Sequence, residues 1–256
     1  MGPSSRTPKL CMFCGGDESL GPMNKEHFVP RALWAGKRPP GTITLPAHIS
    51  CNRAFSDDND YFRTWLVSQE GTEHSEADKI RNGPVLRMAR NRRRQYTRYI
   101  QDFAFRPRFT ESGIFLGYQG SFAFEYQRIY RVMKNVVKGL FYFLQGRPLL
   151  STTYIGVYDH PNDPHPQTES LVSKMSPWYG FGDTVFGWRH VFCENMEQMA
   201  CLMCFYQSKL FYAITHDTRK EAKADESLTS GDPRGNSRAL GAGLLTPPKP
   251  STGVSH

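Results

Sequence analysis

Residues 11–52 contain CMFC (11–14), KEHFVP (25–30) and HISCN (48–52), and the order of these three strings decides how the chain is read. Structural zinc sites are usually assembled from two short chelating loops, because zinc takes thiolate and imidazole in a tetrahedron. CxxC and HxxC are such loops, so Cys11, Cys14, His48 and Cys51 are expected to hold one structural zinc ion. Gly15 and Gly16, directly after the second cysteine, allow the tight turn that folds backbone amides toward a ligand sulfur. Two correctly spaced half-sites rarely arise together by accident.

Between the half-sites lie Glu26 and His27. Phosphodiester hydrolysis needs a base to activate water and a cation to neutralise charge on the phosphorane and the leaving oxygen. His27 suits the first role and Glu26, as a cation ligand, the second. Neighbours on a strand point to opposite faces, so the two converge on one site only if the strand ends or twists there. Pro30, just beyond, is consistent with such an ending. Asn52 follows the last zinc ligand, so the zinc would fix its position, and an amide oxygen is an acceptable ligand for magnesium or another hard cation.

CxxC, then EHFVPRAL, then LPAHISCNRAF resembles the HNH endonuclease family in its zinc-containing branch, with the ββα-metal or treble-clef arrangement. The likeness covers about residues 8 to 70, and its motifs are specific as a set. It implies His27 as general base, Glu26 and Asn52 as ligands of a catalytic Mg2+ or other divalent cation, and Cys11, Cys14, His48 and Cys51 as the structural zinc site. It further implies hydrolysis of DNA. A non-catalytic zinc-dependent nucleic-acid-binding protein and an RNA-cleaving effector are the alternatives, since such a module does not by itself discriminate the sugar. Three departures stand out: Glu26 replaces the more usual Asp, Trp34-Ala35-Gly36 replaces Gly-Gly, and no Asn lies between His27 and His48. A backbone carbonyl is therefore expected to orient the imidazole.

The remaining chain agrees with a nucleic-acid enzyme. The net charge of +8 favours a polyanionic partner. Arg87, Arg90, Arg92, Arg93, Arg94 and Arg98 form a run without an acid, interleaved with Tyr96 and Tyr99, and are candidate phosphate contacts. The rival reading of this run is a solvated basic helix face. No apolar stretch approaches the roughly 20 residues that cross a bilayer, and the opening residues lack a signal-peptide core. Three of six cysteines assigned to a metal fit a reducing compartment, so a cytoplasmic location is expected.

The expected fold is α+β: a flexible lead (1–9), a zinc-stapled ββα-metal module (10–70), an α+β accessory domain with antiparallel strands and a long helix (71–217), and a disordered tail (218–256). A helix is expected from Cys51 through Trp65, with Asp57, Asp58 and Asp60 on its solvated face. GIFLGY (113–118) and SFAFEY (121–126) read as two strands. A helix over residues 127–145 carries an apolar stripe of Ile129, Val132, Val136, Leu140 and Phe143. STTYIGVY, TVFGWRHVFC, QMACLMCFY and KLFYAIT read as strands of a sheet packed on it. Cys201 and Cys204 repeat the CxxC spacing, but their apolar neighbours argue for core cysteines, with Cys193 and His190 as the only partners for a second site. His160 and His165 read as turn residues.

Overall fold

Two short strands and the turn between them place the KEHFVP string. β1 (Met23–His27) pairs antiparallel with β2 (Thr44–His48), setting Met23 opposite His48 and His27 opposite Thr44. The strand ends at His27 and a 3-10 turn, Arg31–Leu33, follows Pro30. We describe this from a computed structural model in which residues 9–69, 72–91, 94, 96–97, 104–121, 125–159, 166–181, 185–193 and 196–217 are defined. His160, His165, Arg92, Arg93, Arg98, Tyr99 and the expected tail lie outside these residues.

The single helix expected after Cys51 is two. α1 (Ile49–Arg53) and α2 (Ser56–Ser68) are separated because Phe55 leaves helical geometry at φ −111° and ψ 2°. Its ring instead meets that of Phe13, between the two CxxC cysteines, with centroids 5.5 Å apart. α3 (Ser75–Ile80) leads through a wide π-type turn, Arg81–Val85, into α4 (Leu86–Asn91). Pro84 in that turn lacks the N–H a regular helix would use there.

The hairpin expected from residues 113–126 is shifted toward the N-terminus. β3 (Ala104–Phe109) pairs with β4 (Phe115–Ser121) about a turn closed by the Thr110 N–H donating to the Ile114 carbonyl at 2.8 Å. AFRPRF is exposed throughout, so it lacks the half-buried alternation by which strands are recognised. Of SFAFEY, Ser121 ends β4 and Tyr126 begins the long helix, while residues 122–124 lie outside the described residues.

That helix, α5 (Tyr126–Gln145), matches its expected span. Ile129, Val132, Met133, Val136, Val137, Leu140 and Phe141 bury one face, whereas Phe143 sits at its rim, 43% exposed. β5 (Thr153–Asp159), β6 (Tyr179–Phe181), β7 (Phe186–Phe192), β8 (Met199–Phe205) and β9 (Lys209–Asp217) form an antiparallel sheet in the order β5-β9-β8-β7-β6. A short helix, α6 (Pro166–Ser173), precedes β6. No helix among the described residues is long and apolar enough to cross a membrane.

One apolar core runs across the boundary expected near residue 70. It joins Cys11, Met12, Phe28 and Leu33 from the first part to Phe62 and Trp65 of α2, Val136 and Leu140 of α5, and Phe186, Phe205 and Phe211 of the sheet. The physical reason lies in Phe28, the residue after His27. Its ring packs against Phe143, Phe186 and Trp188 at centroid distances of 6.4, 6.0 and 6.4 Å. Gly139 of α5 admits it: a β-carbon there would lie 2.0 Å from Phe28 Cβ and 3.2 Å from its Cα. A second link is the Tyr206 hydroxyl, which donates to the Leu33 carbonyl at 2.8 Å. The long helix and the sheet thus fix the segment that carries His27.

Candidate metal centre and adjoining cavity

The CxxC loop folds back on itself before it meets any partner. Gly15 N–H donates to the Cys11 carbonyl and Cys11 N–H to the Gly16 carbonyl, both at 2.8 Å, and Gly15 takes φ +75°, a conformation that favours glycine. Met12 N–H then joins the loop to β2 through the Pro46 carbonyl at 2.9 Å. His48 closes β2 and Cys51 lies one turn later on α1, so both loops converge at the same end of the hairpin.

The ligand atoms of Cys11, Cys14, His48 and Cys51 all lie within 4.8 Å of one another. A tetrahedron with metal–sulfur bonds of about 2.3 Å has edges of about 3.8 Å. His48 Nδ1 stands 3.3 Å from Cys14 Sγ and 3.9 Å from Cys51 Sγ, bracketing that edge. The other ring nitrogen, Nε2, donates to the Asp17 carbonyl at 2.8 Å, which fixes the tautomer leaving Nδ1 as the ligand. This Cys3His cluster could hold a metal ion and is compatible with structural zinc.

The electrostatics suit that ion. Burial, followed by the neighbouring Cys11 and Cys14 sulfurs, pushes the Cys51 thiol up to about 12. Burial works in the same direction on Cys11, but backbone hydrogen bonds from Cys14, His48 and Phe13 outweigh it and hold this thiol below its ordinary value. Three sulfurs this close repel one another as thiolates, and a dication among them removes the conflict. Lys138 of α5 adds a further positive charge: its ammonium donates to the Phe13 carbonyl at 2.9 Å and feels the charge of all three cysteines. A lysine more than 120 residues downstream carried no sequence signal of this role.

Glu26, His27 and Asn52 line a single cavity of about 290 Å³ beside the cluster. The strand ends at His27, which meets the condition under which neighbouring side chains can share a site. One oxygen of Glu26, Oε1, accepts from the His27 backbone N–H at 3.1 Å, and the other, Oε2, accepts from Asn52 Nδ2 at 2.6 Å. A half-turn of the Asn52 amide would set its Oδ1 beside that carboxylate and convert the pair into two oxygen donors. Cys51 places Asn52 through the main chain, so the metal cluster and the cavity are mechanically coupled.

His27 is held below the ordinary histidine range, first by burial and then by the charge of Arg38, with a smaller effect from Arg31. The Ile43 carbonyl acts against this shift from beside the ring. Nδ1 is buried without a hydrogen bond of good geometry. The downward shift favours the neutral imidazole, the form that accepts a proton.

Asp58, expected on a solvated face, is buried instead. Arg128 and Arg131 of α5 donate to its carboxylate at 2.7 and 2.8 Å through their Nε atoms. Burial would raise its pKa, but these two hydrogen bonds outweigh that and lower it. Asp58 joins α2 to α5. Asp60 lines the cavity and pairs with Arg63 at 3.0 Å.

Cys201 and Cys204 form no second cluster; the one such group among the described residues is that of Cys11, Cys14, His48 and Cys51. Cys201 is fully buried in β8, and burial pushes its thiol up to about 12. Arg87, Arg90 and Arg94 of the arginine run are exposed. No family model, curated protein or solved structure matches the chain.

Proposed function

We propose that the protein is a metal-dependent HNH-type endonuclease that hydrolyses phosphodiester bonds in DNA. The observation that carries this reading is the meeting of His27, Glu26 and Asn52 on the wall of one cavity, next to a cluster of zinc-ligand type. The order of β1, β2 and α1 around that cavity is in keeping with the ββα-metal arrangement.

His27 acts as general base. With Nδ1 buried, Nε2 is the nitrogen left to take the proton of a water attacking phosphorus. The lowered basicity of the ring favours its unprotonated form. Glu26 and Asn52 would hold the divalent cation, whose chemistry is to neutralise charge on the phosphorane and the departing 3′ oxygen. Phe28, clamped between Gly139 and the sheet, keeps the preceding imidazole in place. Cys11, Cys14, His48 and Cys51 would hold a structural metal ion, and Cys51, so held, would fix the position of Asn52.

Supercoiled plasmid and a single-stranded RNA of matched length, incubated in parallel with and without Mg2+, test this reading. Nicking of plasmid that stops on chelation and returns with Mg2+ supports it. Cleavage confined to RNA transfers the same site to an RNA-cleaving effector. Specific binding to DNA with no cleavage under any divalent cation overturns the enzyme reading in favour of a binding protein.

A further inference from the structure

His27 stands at the seam of two cavities. The first carries Glu26, Asn52 and Asp60; the second, of about 720 Å³, is lined by His27, Arg31, Lys37, Arg38, Pro39 and Thr42, with no carboxylate in its wall. Arg31 borders both cavities and Arg53 the first, so carboxylates and cations share the first cavity whereas the charged side chains of the second are cations alone. The loop that carries the cations is stiff. Pro39 and Pro40 restrict its backbone, and the Thr42 hydroxyl donates back to the Pro39 carbonyl at 2.6 Å. Arg38 is half-buried, and its Nη1 is sealed from solvent without a hydrogen-bond partner.

An unpaired guanidinium nitrogen out of water costs free energy, and this one sits beside the side chain assigned the role of base. Arg38 also lines the open cavity, where a bound anion would give its guanidinium a partner. Of the two cavities, only the cationic one offers donors without acceptor side chains of opposite charge, the complement of a phosphate.

We propose that this loop cavity is a phosphate subsite for the nucleic-acid strand, in which Arg38 is the principal contact and Arg31 assists. The subsite rests on the nuclease reading and deepens it by naming the group that holds the strand against His27. Arg38 is a positioning residue, fixed by the loop before substrate arrives. It grips a non-bridging phosphate oxygen while the oxygen donors of Glu26 and Asn52 remain in the first cavity. The exposed arginines of α4 then add general affinity, whereas the loop sets the register of the strand.

Equilibrium binding of a fluorescent 12-nucleotide DNA to the full-length, zinc-loaded protein, without added Mg2+, reads the subsite without requiring cleavage. Arg38→Gln should bind on the order of tenfold or more weakly, the usual consequence of losing a charge-assisted hydrogen bond. Arg38→Lys should recover part of the loss, because it restores charge without the planar fork. Lys174→Gln, an exposed lysine after α6, should bind like the wild type. Zinc content and melting temperature verify that each variant is folded. A folded Arg38→Gln that binds like the wild type overturns the subsite, as does a wild type that does not bind. His27→Ala, assayed for cleavage and binding in the same series, separates the two claims. Lost cleavage in His27→Ala with unchanged binding in Arg38→Gln leaves the nuclease and removes the subsite. Weakened binding in Arg38→Gln with no cleavage by the wild type leaves the subsite and removes the nuclease.

Discussion

Gly139→Ala should destabilise the protein and slow it, although alanine is the better helix former. Within an exposed helix this exchange would gain about 1 kcal/mol. Here the added methyl would lie 2.0 Å from Phe28 Cβ, 2.9 Å from its Cγ and 3.2 Å from its Cα. Ordinary carbon contacts need about 3.5–4.0 Å, so the helix and the segment after His27 must separate by well over an ångström. A backbone atom is among those struck, so a rotamer change of Phe28 does not relieve the clash. Overpacking of this kind typically costs about 1–3 kcal/mol and sometimes more. At the upper end of that range, which so close an approach calls for, the net loss after the helix-propensity gain is about 2 kcal/mol, or roughly 4–8 °C in melting temperature for a domain of this size. A misplacement of about 1 Å at the chemistry can cost on the order of 100-fold in rate. Calorimetry and a cleavage assay on the same preparation measure both effects. A variant that melts at or above the wild-type temperature with unchanged turnover would refute the idea that the long helix positions His27 through Phe28.

The purified protein should contain one tightly bound zinc ion per chain, and Cys14→Ser or Cys51→Ser should abolish it; zinc binding is worth on the order of 10 kcal/mol in finger peptides. Because Cys11 and Met12 belong to the core shared with α5 and the sheet, the loss should lower one common melting transition, and a second, undisturbed transition would contradict the shared core. The acid limb of the rate profile should fall below pH 6.5, the ordinary histidine value, since His27 is depressed by burial and Arg38. The same sign governs folding: protonation of His27 opposes the native state, so its share of stability is lost as pH falls from 6.5 through the folded value, and an acid limb above pH 6.5 would contradict the assignment. Replacing Arg90, Arg92, Arg93 and Arg94 with Gln should flatten log affinity against log salt by roughly 0.9 per lost duplex phosphate contact. An unchanged slope would make the run a solvated surface.

Local spacing made the metal cluster legible, because CxxC and HxxC each fix two ligands within one turn of chain and need only a hairpin to bring them together. The long helix was legible for a similar reason: its apolar residues recur at helical spacing over five turns. The strands of the sheet announced themselves by aromatic and β-branched content. What escaped was pairwise and distant. Asp58 reads as one of several acids on a helix until Arg128 and Arg131, seventy residues on, reach it. Lys138 and Gly139 look like ordinary helix residues, yet one meets the zinc-type loop and the other Phe28. The AFRPRF strand was hidden because exposure gives it no alternation. Nor could composition show that Arg38 lies beside His27, since that depends on how a proline-stiffened loop folds back.

The most direct test of the central claim is single-turnover cleavage of a DNA substrate by wild-type protein and His27→Ala, each with its zinc content and DNA affinity measured. The account predicts that the variant keeps its zinc and its affinity while cleavage falls by about 10²- to 10⁴-fold, the usual contribution of a general base. Cleavage by the zinc-loaded variant at close to the wild-type rate would contradict it.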